Sequence, residues 1–177
     1  MKSILAIAVA LISVNTFAYT TAAVVGLRMN HAIVGSGSSK DLLKFQGGVI
    51  VGIPLNESIT FRTGGLLVMK DSQIEDSVTK VTIDRLFLDV PATLQFGNET
   101  IQGYAGFNIG LKLSSSAKAN GNTFTPGDEK SVVFQPVLGL DVKVAPTTTV
   151  GFFYELETEY SMNYKQSAYG LQVGFIF

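Results

Sequence analysis

Ionisable side chains recur at strand-like spacing through this chain: Arg28, Lys44, Arg62, Arg85, Asp89, Lys112, Asp141, Lys143, Glu155 and Glu157. Each stands on the side of an alternating segment opposite to bulky apolar residues, and both signs are present. Gathered in one narrow interior, such groups have two possible chemistries. They can pair as a structural plug, because an unpaired buried charge is costly, or they can line a path for protons or ions. The plug is the favoured expectation, since eight strands enclose only enough room for side chains. Arg85 and Glu157 are expected in one half of that interior, with Glu155 and Asp89 nearer the middle and Arg28 joining their layer. Arg62 and Asp141 are expected nearer the other end.

A second constellation, His31, Asp71 and Ser72, stands where two polar segments begin and could activate a hydroxyl for acyl transfer. The arrangement is similar to that of the lipid A palmitoyltransferase barrels. That family has an amphipathic helix before its first strand and an interior cavity for an acyl chain, whereas here the alternating pattern starts at once and its inner side is charged. No catalytic residue, metal ligand or cofactor is therefore expected, and the chain is not expected to be an enzyme. The absence of Cys excludes a disulfide framework and a thiolate metal site.

The first residues have a different purpose. Met1 and Lys2 make a positive start, an apolar run follows from Ile4 to Val14, and Thr16, Phe17 and Ala18 put a small residue at the cleavage position. This is the pattern of a secretory signal peptide, residues 1–18. The run is too short for the ~20 residues of a membrane-spanning helix. Its removal takes away one lysine, so the formal charge moves from −1 to −2. Such a near-neutral domain has no electrostatic support for binding nucleic acid, which needs clustered Lys and Arg. Residues 19–177 are expected to form one domain.

Those residues read as eight alternating segments. The fourth has the clearest period of two: Leu86, Leu88, Val90, Ala92, Leu94 and Phe96 oppose Arg85, Phe87, Asp89, Pro91, Thr93 and Gln95. Pro91 removes a ladder hydrogen bond there, and a bulge is expected around it. The connections alternate between long polar stretches, 31–41, 71–80, 114–130 and 159–165, and tight turns. An even strand count with this alternation predicts an all-β, eight-stranded antiparallel up-and-down transmembrane barrel, with long loops outside the cell and both termini periplasmic. Gly and charged residues then face the lumen. Phe45, Phe134 and Tyr169 form one lipid-facing aromatic girdle, and Phe61, Phe96, Phe152, Phe175 and Phe177 the other.

At the fourth and fifth segments, Leu88-Asp89-Val90-Pro91-Ala92-Thr93-Leu94-Gln95-Phe96 and Tyr104-Ala105-Gly106-Phe107-Asn108-Ile109-Gly110 resemble the outer membrane protein beta-barrel domain family of Gram-negative bacteria. The last segment, with Tyr169, Leu171, Val173, Phe175 and Phe177 on one face, resembles the C-terminal insertion signal of such barrels. The resemblance implies an outer-membrane location and contact with the barrel-insertion machinery, outer-membrane lipids and lipopolysaccharide. It brings no catalytic residues. The expected role is structural or an adhesion-like interaction at the cell surface, with loop residues such as Asp76, Lys118, Thr125 and Lys130 projecting towards a surface ligand. A small-solute or ion channel is the alternative, and a lipid-modifying acyltransferase a more distant one. The protein is expected to be monomeric.

Overall fold

The computed structural model describes residues 19–34, 38–75, 80–119, 122–126, 129–161 and 164–177. The expected signal peptide and Asp76 lie outside the described residues. Eight strands close the barrel: β1 (Thr20–Val34), β3 (Leu42–Pro54), β4 (Ile59–Met69), β6 (Lys80–Gly97), β7 (Ile101–Ala119), β9 (Val132–Ala145), β10 (Thr148–Ser161) and β11 (Tyr164–Ile176). Among the described residues, three short strands, β2 (Ser38–Lys40), β5 (Ser72–Glu75) and β8 (Asn122–Phe124), extend the sheet at the long-loop end. Every pairing among the described residues is antiparallel. The seam between first and last strands runs from Ala22 opposite Ile176 to Val34 opposite Tyr164, and β6 against β7 joins the remaining free edges of the wall.

The period of two dictates the two faces. Leu27, Phe45, Leu67, Leu94, Phe107, Phe134, Leu138 and Leu171 are exposed on the outer wall. The buried set contains Arg28, Gln46, Arg62, Lys70, Asp89, Gln135, Asp141 and Glu155. This inversion of the soluble pattern is stable only where the surrounding medium is itself apolar and every backbone group is paired within the wall. Phe45, Phe96, Phe134, Phe152, Tyr169, Phe175 and Phe177 are all exposed on that wall, and Phe61 is half-buried.

Three expectations need correction. The stretches 31–41, 71–80, 114–130 and 159–165 are partly strand: β1 continues to Val34, β7 to Ala119 and β10 to Ser161, with β2, β5 and β8 among them. Hairpin pairing simply continues past the expected boundary, as with Thr82 opposite Lys118. Pro91 does not cause a bulge. The β4–β6 ladder skips from Arg62–Thr93 to Leu66–Asp89 in unchanged register, and the missing rungs face Gly64, which has φ +145°. A Cβ at Gly64 would collide with the Val49 carbonyl oxygen, so glycine lets β4 lean onto β3 where proline offers β6 no donor. Third, Glu157 is on the outside. β10 carries a register shift between Glu155 and Thr158 against β11, and the extra residue exchanges the faces beyond it. Tyr160 consequently points inward, and Glu157 is exposed beside Lys165.

Candidate functional site: the lumenal ion-pair stack

Alternation on β1, β3, β4, β6, β7, β9, β10 and β11 aims one set of polar side chains at a common axis, where ion pairs form successive layers. Nearest the short turns, Arg62 Nη1 lies 3.1 Å from Asp141 Oδ2, and the guanidinium stacks 4.0 Å above the Tyr104 ring. Gln172 Nε2 donates to Asp141 Oδ1 at 3.2 Å and to Tyr104 at 3.3 Å. Gly151 makes this carboxylate's position possible, because a Cβ there would overlap Asp141 Oδ1.

The next layer is built on Arg28 and Glu155. Arg28 Nη2 donates to Glu155 Oε2 at 2.6 Å, its Nε donates to Asn30 at 2.7 Å, and Asn108 donates to Glu155 Oε1 at 2.9 Å. Beside it, Lys70 Nζ stands 2.7 Å from Asp89 Oδ2 with both side chains 0% exposed, and it donates to Gln135 at 2.8 Å. An aromatic group of Phe87, Tyr160 and Tyr164 packs around this level. Uncompensated charge in such surroundings would cost several kcal/mol, so losing either partner alone is costly.

The uppermost layer closes the long-loop end. Arg85 donates through Nε to Glu129 Oε1 at 2.6 Å and through Nη1 to the Tyr164 hydroxyl at 2.9 Å. Lys112 Nζ is 3.5 Å from the other Glu129 oxygen. Burial alone would push the Glu129 carboxyl up, but Ser115, the Arg85 guanidinium and Lys112 together hold it below the usual carboxylate range. Asp71 adds a side layer, accepting from the Arg85 backbone N–H at 2.7 Å and pairing with Lys44 at 2.6 Å.

Arg28, Arg62, Arg85, Asp89, Asp141 and Glu155 thus meet in the lumen, whereas Glu157 does not. Arg85, expected in the same half as Glu157, takes Glu129 as its carboxylate. Sequence reasoning missed Lys70, Glu129 and Gln135. Lys70 and Gln135 were detectable, since both continue the inward parity of their strands; Glu129 lies in a non-strand segment with no periodicity to reveal it. The His31, Asp71 and Ser72 constellation is divided: His31 Nδ1 is 2.7 Å from Asp41, while Ser72 accepts from Arg85 at 3.3 Å. Tyr169, Leu171, Phe175 and Phe177 are exposed on the outer wall, and Val173 is half-buried.

Below Arg62 and Asp141 the short-turn mouth widens into an open cavity of about 480 Å³. A separate space of about 30 Å³ lies above them, bounded by Asn108, Glu155 and Gln172. The lumen is therefore a vestibule beneath a filled column.

The sequence profile of the outer membrane protein beta-barrel domain matches residues 4–177. The chain belongs to this family. Among solved structures it is similar to Ail, the attachment invasion locus protein of Yersinia pestis, at 15% identity over 89% of this chain and 98% of that one, with a TM-score of 0.65. Ail in complex with the heparin analogue sucrose octasulfate superposes with a TM-score of 0.59, at 16% identity over 90% and 99% of the two chains. Neisserial surface protein A gives 0.50 at 14% identity over 90% and 97%. These likenesses concern the fold. No curated protein sequence matches the chain. The family member described here is an outer-membrane barrel of eight wall strands.

Proposed function

We propose that this outer-membrane barrel is non-conducting and that its role is structural or an interaction at the cell surface, made through the extended hairpins of the long-loop end. The observation that carries the reading is the stack of ion pairs Arg62–Asp141, Arg28–Glu155, Lys70–Asp89 and Arg85–Glu129, whose side chains are no more than 8% exposed. A column filled by paired side chains leaves no continuous water path. The hairpins extend beyond the wall at that end, and loops on a rigid frame commonly carry function. Their rim carries charges of both signs, with Lys118 near Asp84, Lys130 near Glu159 and Lys165 near Glu157, suited to lipopolysaccharide head groups or a surface ligand. In this reading the short turns and both termini are periplasmic, the protein is monomeric, and β11 is the strand offered to the insertion machinery. The attachment protein Ail is a precedent for a surface role on this fold.

Planar-bilayer recording of the refolded protein tests the proposal. No unitary conductance above the lipid baseline is expected. Stepwise currents whose ion selectivity changes in Arg85→Ala would replace this reading with the channel.

A further inference from the structure

We infer that the vestibule at the short-turn mouth is a binding site for a neutral saccharide. Its volume of about 480 Å³ falls within the roughly 300–1,000 Å³ typical of small-molecule sites. Arg62 forms part of its roof, only 6% exposed, and Arg62 Nη1 has no hydrogen-bond partner among the described residues even though Asp141 stands at ion-pair distance. Beside its ion pair with Asp141, such a terminal nitrogen has room for one further oxygen acceptor.

The charges decide which acceptor. Asp141 already balances Arg62, and the remaining lining charges, Lys143 and Glu99, are one of each sign. An anion would add repulsion from Asp141 and Glu99, and a cation would meet Arg62 and Lys143. A neutral hydroxyl or amide oxygen meets neither penalty. The walls suit a molecule made of such groups: Thr20, Thr60 and Thr149 bring hydroxyls, and Gln95 and Gln102 bring carboxamides, all able both to donate and to accept. Gln95 Nε2 already donates to Gln102 at 2.7 Å, which fixes both amides at the wall. Val24, Ile50 and Ile176 supply an apolar strip for the C–H face of a sugar ring. The site lies below the ion-pair column, so it does not depend on whether the column conducts.

The test is NMR titration of the isotope-labelled protein, refolded in micelles, with N,N′-diacetylchitobiose and maltose as neutral probes and glucuronate as the anionic control. Saturable shifts of the Gln95, Gln102 and Gln172 side-chain amides are expected with a neutral probe, and none of comparable affinity with glucuronate. Thr149→Trp and Thr60→Trp should fill the mouth and weaken binding by about tenfold or more, while the heat-dependent gel shift of each variant reports that it still folds. Shifts that never saturate, or that persist unchanged in both tryptophan variants, would mean that the vestibule holds only water. Saturation by glucuronate alone would make it an anion site and overturn the assignment equally.

Discussion

Glu129 shows how much a single residue can decide in a closed lumen. It enters from a non-strand segment between β8 and β9 and satisfies Arg85, which is 3% exposed. Its carboxyl is held below the ordinary range, so its proton affinity is lower in the folded state than in the unfolded chain, where a glutamate titrates near ~4.3. The stabilisation is therefore fully present above that value and is lost as pH falls through the depressed folded pKa. Urea unfolding of wild type and Glu129→Gln at several pH values should give a stability difference that is largest at neutral pH and shrinks in acid. A difference independent of pH would show that Glu129 contributes packing and no charge. The Lys70–Asp89 pair tests the other half of the electrostatics. Lys70→Met leaves a fully buried carboxylate without its cation and should cost about 3–5 kcal/mol, whereas Lys70→Met with Asp89→Leu should recover most of the loss. A double variant as unstable as the single one would locate the cost in shape.

Among the elements, β6 and β10 show why period-two reasoning succeeds in one place and fails in another. β6 keeps one parity from Arg85 to Thr93, with Arg85, Phe87, Asp89, Pro91 and Thr93 all buried, so its faces were legible from residue types alone. In β10 the same reasoning holds through Gly151, Phe153 and Glu155, then fails at the register shift. The β9–β10 ladder ends at Glu155 opposite Val137, where the next residue of β9 is Pro136, which has no donor to offer. A bulge is a backbone event set by the neighbouring strands, and Glu157 and Tyr160 alone carry no sign of it. The ends of the long hairpins were unreadable for a related reason, because polar strands beyond the apolar band look like loops until their partners are known. The face assignment of β6 predicts a contrast. Val90→Arg puts a charge on the lipid side near mid-strand and should cost about 2–4 kcal/mol. Gln95→Arg, at the wall of the open vestibule, should cost much less. Equal costs in refolded bilayer samples would mean that the outer wall is not in contact with lipid.

At the scale of the whole molecule, closure depends on β11, which pairs with β1 and β10 along almost its full length. The architecture was legible because closure leaves the sequence a repeated binary pattern, and the ion-pair partners were not because pairing depends on which inward residues share a level. Phe177 separates two roles that β11 could combine. Its backbone N–H donates to the Thr21 carbonyl at 3.0 Å, and the residue is 79% exposed, so it adds little to packing within the barrel. Deleting it removes one backbone hydrogen bond, worth about 0.5–1.5 kcal/mol, from an otherwise complete seam. Refolding into lipid vesicles should therefore proceed with a stability close to that of the full chain. If Phe177 also belongs to the feature read by the insertion machinery, outer-membrane yield in cells should fall severalfold, with aggregate or degradation products in the periplasm. Normal yield in cells would remove the recognition role, whereas loss of refolding in vesicles would show that the residue is needed for closure itself.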